Sequence, residues 1–213
     1  MGKLVILRHG ETIFNRDKRM TGTADVPLTD LGIAQAERAG EVLKDISFDK
    51  AYSSTLTRAF NTAALALKSS VKNSELPVEK RPEIVERDVG DFTGRYHKKD
   101  PEILRLTRNF DTRHPNGESF KDVVERIGQF YEKELKPRLD RGETVMVSCH
   151  AGVVLAFKYY LGELTKSQIA TARVENAAPW VLEYKKGQIV KSYNIKTQAS
   201  ANSNNKKKPP KMG

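Results

Sequence analysis

The chain opens on a short apolar run, Leu4-Val5-Ile6-Leu7, with no polar residue inside it. A continuous run of this kind predicts a strand buried on both faces of a sheet, because half-exposed strands alternate apolar and polar positions. Thr144–Ser148 reads as another buried strand, and Lys50–Ser53 as a further one. Elsewhere the spacing turns helical. Thr29-Asp30 precedes a stretch near 31–44 in which Ile33, Ala36, Ala39, Gly40 and Leu43 form one stripe. Residues 55–68, rich in alanine and leucine, predict a second helix. Gly117–Leu139 carries the clearest helical repeat, through Phe120, Val123, Val124, Ile127, Phe130, Tyr131 and Leu135, and another helix is expected from about 152 to 161. Pro77–Lys80 is a candidate edge strand. Trp180–Tyr184 and Gln188–Tyr193, joined around Lys185-Lys186-Gly187, have the look of a hairpin. The segment 85–116 holds Gly90, Gly94, Pro101 and Pro115 with little periodicity, so it is expected to be a long excursion with a short helix near 101–109.

Strands alternating with helices predict an α/β fold: a three-layer sandwich, its mostly parallel central sheet flanked by helices on both faces. One domain is expected over residues 1–196. Residues 197–213, rich in Ser, Asn, Lys and Pro, are expected to be a disordered lysine-rich tail. Ligands in such sheets bind at the carboxyl ends of the strands. The two most polar strand exits are Arg8-His9-Gly10 and Cys149-His150-Ala151-Gly152.

Composition excludes more than it selects. With 213 residues, 38% hydrophobic and 30% charged, the chain fits one globular domain. No apolar run nears the roughly 20 residues of a membrane span, and Leu4–Leu7 is too short for a signal-peptide core. One cysteine, Cys149, allows no internal disulfide and no multi-cysteine metal site, which makes a reducing cytoplasm the expected location, away from membranes. The net charge is +10, and four lysines with no acid fall in residues 197–213, so the domain keeps 10 − 4 = +6. Such a balance suits nucleic acid, an anionic membrane surface or a small anionic substrate. The tail has no aromatic residue and no recognisable module, so no nucleic-acid partner is expected.

The candidate chemistry lies at the exits. A histidine just after a buried strand sits at the rim of the sheet. Arg8 beside it offers a planar donor fork suited to phosphate oxygens, and Gly10 permits a turn and a close backbone approach. A neutral imidazole is a competent nucleophile toward phosphorus when its other nitrogen is held protonated. His150 repeats the arrangement before a helix, whose N-terminus favours anions. Arg58 opens a helix that follows a strand and can reach the same rim. Glu86, in the excursion, offers a carboxylate able to protonate a leaving oxygen. Each of these residues alone has an ordinary explanation, as a packed histidine, a solvated arginine or a surface ion pair. His97 and His114 match no motif, and Cys149 reads as a small packing residue.

Together the segments resemble the histidine phosphatase superfamily, which includes cofactor-dependent phosphoglycerate mutases and many phosphatases. The resemblance is carried by Leu7-Arg8-His9-Gly10-Glu11-Thr12 with Asn15, by Thr21-Gly22-Thr23-Ala24-Asp25-Val26-Pro27-Leu28-Thr29, and by Ser54-Thr55-Leu56-Thr57-Arg58-Ala59 with Thr62. It continues through Glu86-Arg87, Gly117-Glu118-Ser119 and His150-Ala151-Gly152, in family order from residue 4 to about 184. It implies that His9 becomes phosphohistidine, that Arg8, Arg58 and His150 surround the phosphate, and that Glu86 donates and accepts the proton. Asn15, Thr21, Gly22, Thr23, Lys98, Arg108, Ala151 and Gly152 would bind substrate. With side-chain cations in place, no metal and no cofactor are expected, unless the enzyme is a mutase primed by 2,3-bisphosphoglycerate.

The substrate implied is a small phosphorylated metabolite, and the sequence leaves a homodimer open. Lys98, Glu86-Arg87 and Arg108-Asn109-Phe110-Asp111 resemble the mutases. Val89, Thr107, Val153-Val154 and Asn176-Ala177 depart from them, and the balance leans to a phosphomonoester phosphatase with phosphoglycerate mutase as the alternative. A non-catalytic phosphate-binding module is disfavoured by the complete set of His9, Arg8, Arg58, Glu86 and His150.

Overall fold

The computed structural model describes residues 1–96, 100–107 and 109–197. Its strands are β1 (Gly2–Arg8), β2 (Lys50–Ser54), β3 (Val78–Arg81), β4 (Thr144–Cys149), β5 (Pro179–Lys185) and β6 (Gln188–Asn194). The helices are α1 (Ile13–Arg16), α2 (Asp30–Leu43), α3 (Thr57–Lys68), α4 (Pro101–Thr107), α5 (Phe120–Phe130), α6 (Lys136–Asp140), α7 (Ala151–Tyr160) and α8 (Lys166–Ile169). One six-stranded sheet runs in the order β3-β2-β4-β1-β5-β6. The first four positions are parallel, and the β5–β6 hairpin joins them antiparallel along β1. The expected α/β sandwich is therefore present, mixed rather than uniform in strand direction. His97, Lys98, Arg108 and residues 198–213 of the expected tail lie outside the described residues, while Thr197, expected to open that tail, is buried against the domain.

β1 is apolar from Leu4 to Leu7 because both faces are covered there. Val5 and Leu7 pack with Ala39, Leu43, Ala63 and Leu67 of α2 and α3, while Leu4 and Ile6 pack with Val123, Ile127, Val153 and Phe157 of α5 and α7. α2 starts on a Thr29 cap that accepts from Gly32 N. Its buried stripe is Gly32, Ala36, Ala39, Gly40 and Leu43, so Ile33, expected inside, is instead 39% exposed. The reason is contact with the loop that follows β1. A Cβ on Gly32 would lie 2.1 Å from the Glu11 carbonyl oxygen, and one on Gly10 2.2 Å from the Gly32 carbonyl oxygen. Gly10 thus serves a backbone-to-backbone approach rather than an approach to ligand.

The long helix expected over Gly117–Leu139 begins later, at Phe120, after a capping box between Ser119 and Asp122. It is also interrupted. Residues Tyr131–Leu135 form a π turn in which Lys136 N–H donates to the Tyr131 carbonyl. Pro137 follows, with no N–H to donate and a ring that would clash with the Lys133 carbonyl of a regular helix. The wider turn relieves both problems while Phe130, Tyr131, Leu135 and Leu139 stay buried.

Candidate active site

Strand register brings the candidate residues to one rim. Arg8 pairs with Cys149 across β1 and β4, and His9 N–H donates to the Cys149 carbonyl at 2.9 Å. His9 and His150 therefore leave the sheet side by side, with ring centroids 5.2 Å apart. Ser53 pairs with Ser148, so β2 exits beside them and hands the chain to α3, which carries Arg58 in its first turn. β3 pairs with β2 up to Arg81 and leads through the turn at Pro82–Ile84 to Glu86. Four parallel strands thus deliver four of the five expected groups, and Arg8 ends the first of them.

The hydrogen bonds of the two histidines settle their tautomers. His9 Nδ1 lies 2.6 Å from the Gly10 carbonyl oxygen, which can only accept, so Nδ1 carries the proton and Nε2 keeps its lone pair. Arg58 Nε, an obligatory donor, is 3.2 Å from His150 Nδ1. That nitrogen must accept, so the His150 proton sits on Nε2, which is buried and unpartnered among the described residues. Both imidazoles are held well below their usual pKa, first by burial and then by the adjacent Arg8 and Arg58 guanidinium groups, with His9 also acting on His150. At neutral pH the pair presents a neutral lone pair beside a neutral N–H donor.

The arginines are fixed by backbone carbonyls. Arg58 is fully buried and donates from Nη1 to Ala24 O at 2.6 Å and from Nη2 to Gly22 O at 2.8 Å. With Nε on His150, two of its five N–H donors remain. Arg8 donates from Nη1 to Val174 O at 2.6 Å, and its buried Nε has no partner among the described residues. Burial lowers the Arg8 pKa to about 10, against the opposing pull of Glu86, and it stays charged at neutral pH. The Glu86 carboxylate accepts from Arg87 N at 2.8 Å and from Gly152 N, at the start of α7, at 3.2 Å.

A second layer holds the His9 exit. Asn176 Nδ2 donates to the His9 carbonyl at 2.8 Å, and Ala177 N–H donates to the Arg8 carbonyl at 2.9 Å. Ala177 does so at φ +50, a left-handed conformation that costs a residue with a Cβ. Thr62 Oγ1 accepts from Gly10 N and donates to Arg58 O, joining the loop after β1 to α3.

These groups open on a cavity of about 650 Å³ lined by Arg8, His9, Arg58 and Glu86, with Asn15, Thr21, Gly22, Ala151 and Gly152 also on its wall. Thr23 is exposed and does not line it; the Ala24 carbonyl, bonded to Arg58, makes the loop's contact there instead. His150 is buried behind the wall, beneath His9 and Arg58. Arg87, quoted beside Glu86 for its likeness to the mutases, also reaches the cavity, as do Lys18, Arg19 and Arg173, to which sequence reasoning gave no role. Lys18-Arg19, just beyond the His9 motif, was the available signal for two of them. Val89 lines the cavity as expected, whereas Val153 is wholly buried in the core under α7 and Val154 nearly so, and neither lines it. Their apolar character follows from packing and does not bear on substrate. Among the described residues no group of three or more His, Cys, Asp or Glu side chains comes together as a metal site. None of their helices is long and apolar enough to cross a membrane.

The model of the histidine phosphatase superfamily (branch 1) matches residues 4–196. The chain belongs to that family. It is an enzyme of the phosphatase or phosphoglycerate mutase kind. A 2,3-bisphosphoglycerate-dependent phosphoglycerate mutase of Allorhizobium ampelinum is 33% identical over 202 residues, covering 91% of this chain and 95% of that protein. Among solved structures, a phosphoglycerate mutase of Bacillus anthracis superposes with a TM-score of 0.77 at 30% identity, over 90% of this chain and 92% of its own. A mycobacterial glucosyl-3-phosphoglycerate phosphatase gives 0.70 at 29% identity, over 85% and 92%. The family members similar to this chain therefore include both hydrolases and mutases.

Proposed function

We propose that the chain is a phosphomonoester phosphatase that passes the phosphoryl group through His9, acting on a small phosphorylated metabolite in the cytoplasm. The observation that carries this reading is the opposed pair of tautomers, a lone pair on His9 Nε2 beside an N–H on His150 Nε2. The lone pair attacks phosphorus as the bond to the leaving oxygen breaks. Arg8 and the two free N–H groups of Arg58 take up the charge on the phosphoryl oxygens, with the His150 Nε2–H dipole adding to them from behind the wall, a task that elsewhere falls to metal ions. Glu86 gives its proton to the leaving oxygen. The carboxylate then takes a proton from the water that attacks phosphohistidine, which restores His9 and releases phosphate.

Hydrolysis, rather than return of the phosphoryl group to a neighbouring oxygen, is supported by the apolar part of the wall. Val89, Leu104, Phe120, Leu155 and Ile169 line the cavity where a small polyanion would need charged partners. The mutase reading is favoured by Arg87, which lines the same cavity and forms no ion pair with the described residues. In that reading 2,3-bisphosphoglycerate would be the primer.

Rapid quenching of the wild type with a phosphomonoester should yield acid-labile phosphoprotein, and His9→Ala should yield none, with turnover unaffected by EDTA throughout. Primed interconversion of 3- and 2-phosphoglycerate, run beside the hydrolysis, decides between the readings. If interconversion outruns hydrolysis of every ester tested by about a hundredfold, some 2.7 kcal/mol in barrier, the chain is a mutase.

A further inference from the structure

Beside the phosphate cavity lies a larger one, about 790 Å³, formed between α7 and the start of the β5–β6 hairpin. Its wall includes the apolar residues Val154, Leu164, Val174, Ala178, Trp180 and Ile195. A third cavity of about 540 Å³ lies between them. It shares Arg8, Ala151 and Asn176 with the phosphate cavity, and Ala172, Val174 and Thr197 with the apolar one. Leu155 and Arg173 line all three. The three cavities therefore adjoin in a row, and a side-chain shift at Leu155 or Arg173, which border all of them, is enough to join them into one trough from His9 towards Trp180.

None of the steps proposed above uses the far end of this trough. A three-carbon phosphate engaged at His9 would leave it filled with water against walls that are apolar apart from its rim of Lys158, Glu175, Asn194, Lys196 and Thr197, a costly arrangement for a surface kept in that form. At the junction stands Arg173, exposed and without an ion pair or hydrogen bond to the described residues. A guanidinium in that state stacks readily on a flat ring passing beneath it.

We infer that the alcohol half of the substrate lies along this trough, so that the enzyme prefers phosphomonoesters whose leaving group carries a flat apolar ring. The inference rests on the phosphatase reading and names its substrate class. The occupant is a small ester rather than a protein segment, because the inner end closes on a His9 that is only 3% exposed. The ring would stack under Arg173 and come to rest against Leu164, Val174 and Ala178, short of Trp180, whose ring the Lys158 ammonium already covers at 3.9 Å.

The test compares ethyl, phenylpropyl and phenylhexyl phosphates with the full chain. All three release unactivated alkoxides, so the chemical step is matched and differences report binding along the trough. The ring-bearing esters should have a kcat/KM higher than that of ethyl phosphate by roughly tenfold or more, mostly through KM, as expected for burial of an aryl group. Leu164→Asn, which removes apolar character at similar size, and Ala178→Phe, which fills the cavity, should each collapse that ratio to within about threefold. Thermal melting of the two variants confirms that they fold, and either one suffices if the other does not. Equal kcat/KM for the three esters in the wild type, or a preference that survives both variants, overturns the trough and leaves the phosphatase reading standing. Turnover of none of the esters, with phosphoglycerate interconversion intact, overturns both.

Discussion

Lowering the pH from 7.5 to 5 should cost this protein much of its stability, and the loss can be assigned to named histidines. His9 and His150 are held well below their usual pKa by burial and by the adjacent arginines, and burial together with Arg87 lowers His114 to about 4. His114 has no partner for either ring nitrogen among the described residues and packs edge-on against Phe92. In the unfolded chain each would titrate near pH 6.5. Below that pH the unfolded state binds protons that the folded state refuses, so stability is full above about pH 6.5 and falls as the pH drops. One such group has cost about 2 kcal/mol by pH 5, and three cost about 6 kcal/mol, a large share of the 5–15 kcal/mol typical of a domain. The carboxylates of Glu79, Glu83, Asp100, Asp122 and Glu143 are held below their usual range by hydrogen bonds and ion pairs, so they titrate below this window. Urea unfolding followed by the fluorescence of Trp180, the single tryptophan, measures the difference directly. The wild type should lose about 6 kcal/mol between the two pH values, and His9→Asn/His150→Asn only about 2 kcal/mol. Equal losses in the two proteins would show that the buried imidazoles are not what the acid attacks.

The position of Glu86 is tested from its neighbour, since a Cβ on Gly152 would lie 2.4 Å from Glu86 Oε1, a flexible atom that can be pushed aside. Gly152→Ala, like Glu86→Gln, should slow cleavage of alkyl phosphates by about a hundredfold or more and of nitrophenyl phosphate, whose leaving group needs little protonation, by less than about tenfold. Steady-state kinetics on both ester types checks this, and equal losses would make Glu86 structural. At Ala177, glycine relieves the left-handed strain at some cost in chain entropy, so Ala177→Gly should change stability by no more than about 1 kcal/mol, in the stabilising direction. A β-branched side chain there cannot adopt φ +50 cheaply, and Ala177→Val should cost more than about 2 kcal/mol by thermal or urea unfolding. Equal stabilities of the two variants would remove the strain argument.

The place of His9 at the rim of the cavity was legible because the apolar run before it marks a buried strand, and strand exits are where such sheets carry chemistry. Arg58 and His150 follow from the same rule applied to β2 and β4. What the sequence hid was non-local. Nothing about Thr23 distinguishes it from Ala24, yet only the latter's carbonyl meets Arg58, because the direction of a backbone carbonyl is set by the folded loop. Ala177 gave no glycine-like sign of its left-handed backbone. Val153 and Val154 looked like lost substrate contacts because linear proximity to His150 does not say which side of α7 a residue occupies. The π turn could have been anticipated from Pro137, whose missing N–H forbids a regular helix, although the hydrophobic repeat runs through it unbroken.

The lengths of chain that the site's contacts enclose have a consequence for how activity appears during synthesis. Arg8 and Val174 are 166 residues apart, Arg58 and His150 92, and Glu86 and Gly152 66. Closing such loops is slow, and it cannot begin before the later partner has been made. β1, translated ahead of both strands that flank it, therefore waits as an unpaired apolar ribbon, the kind of segment that invites misassembly or chaperone capture on the ribosome. No translation product that stops short of Asn176 contains the pocket. Refolding should accordingly restore catalysis only in its slowest phase, after most secondary structure has returned.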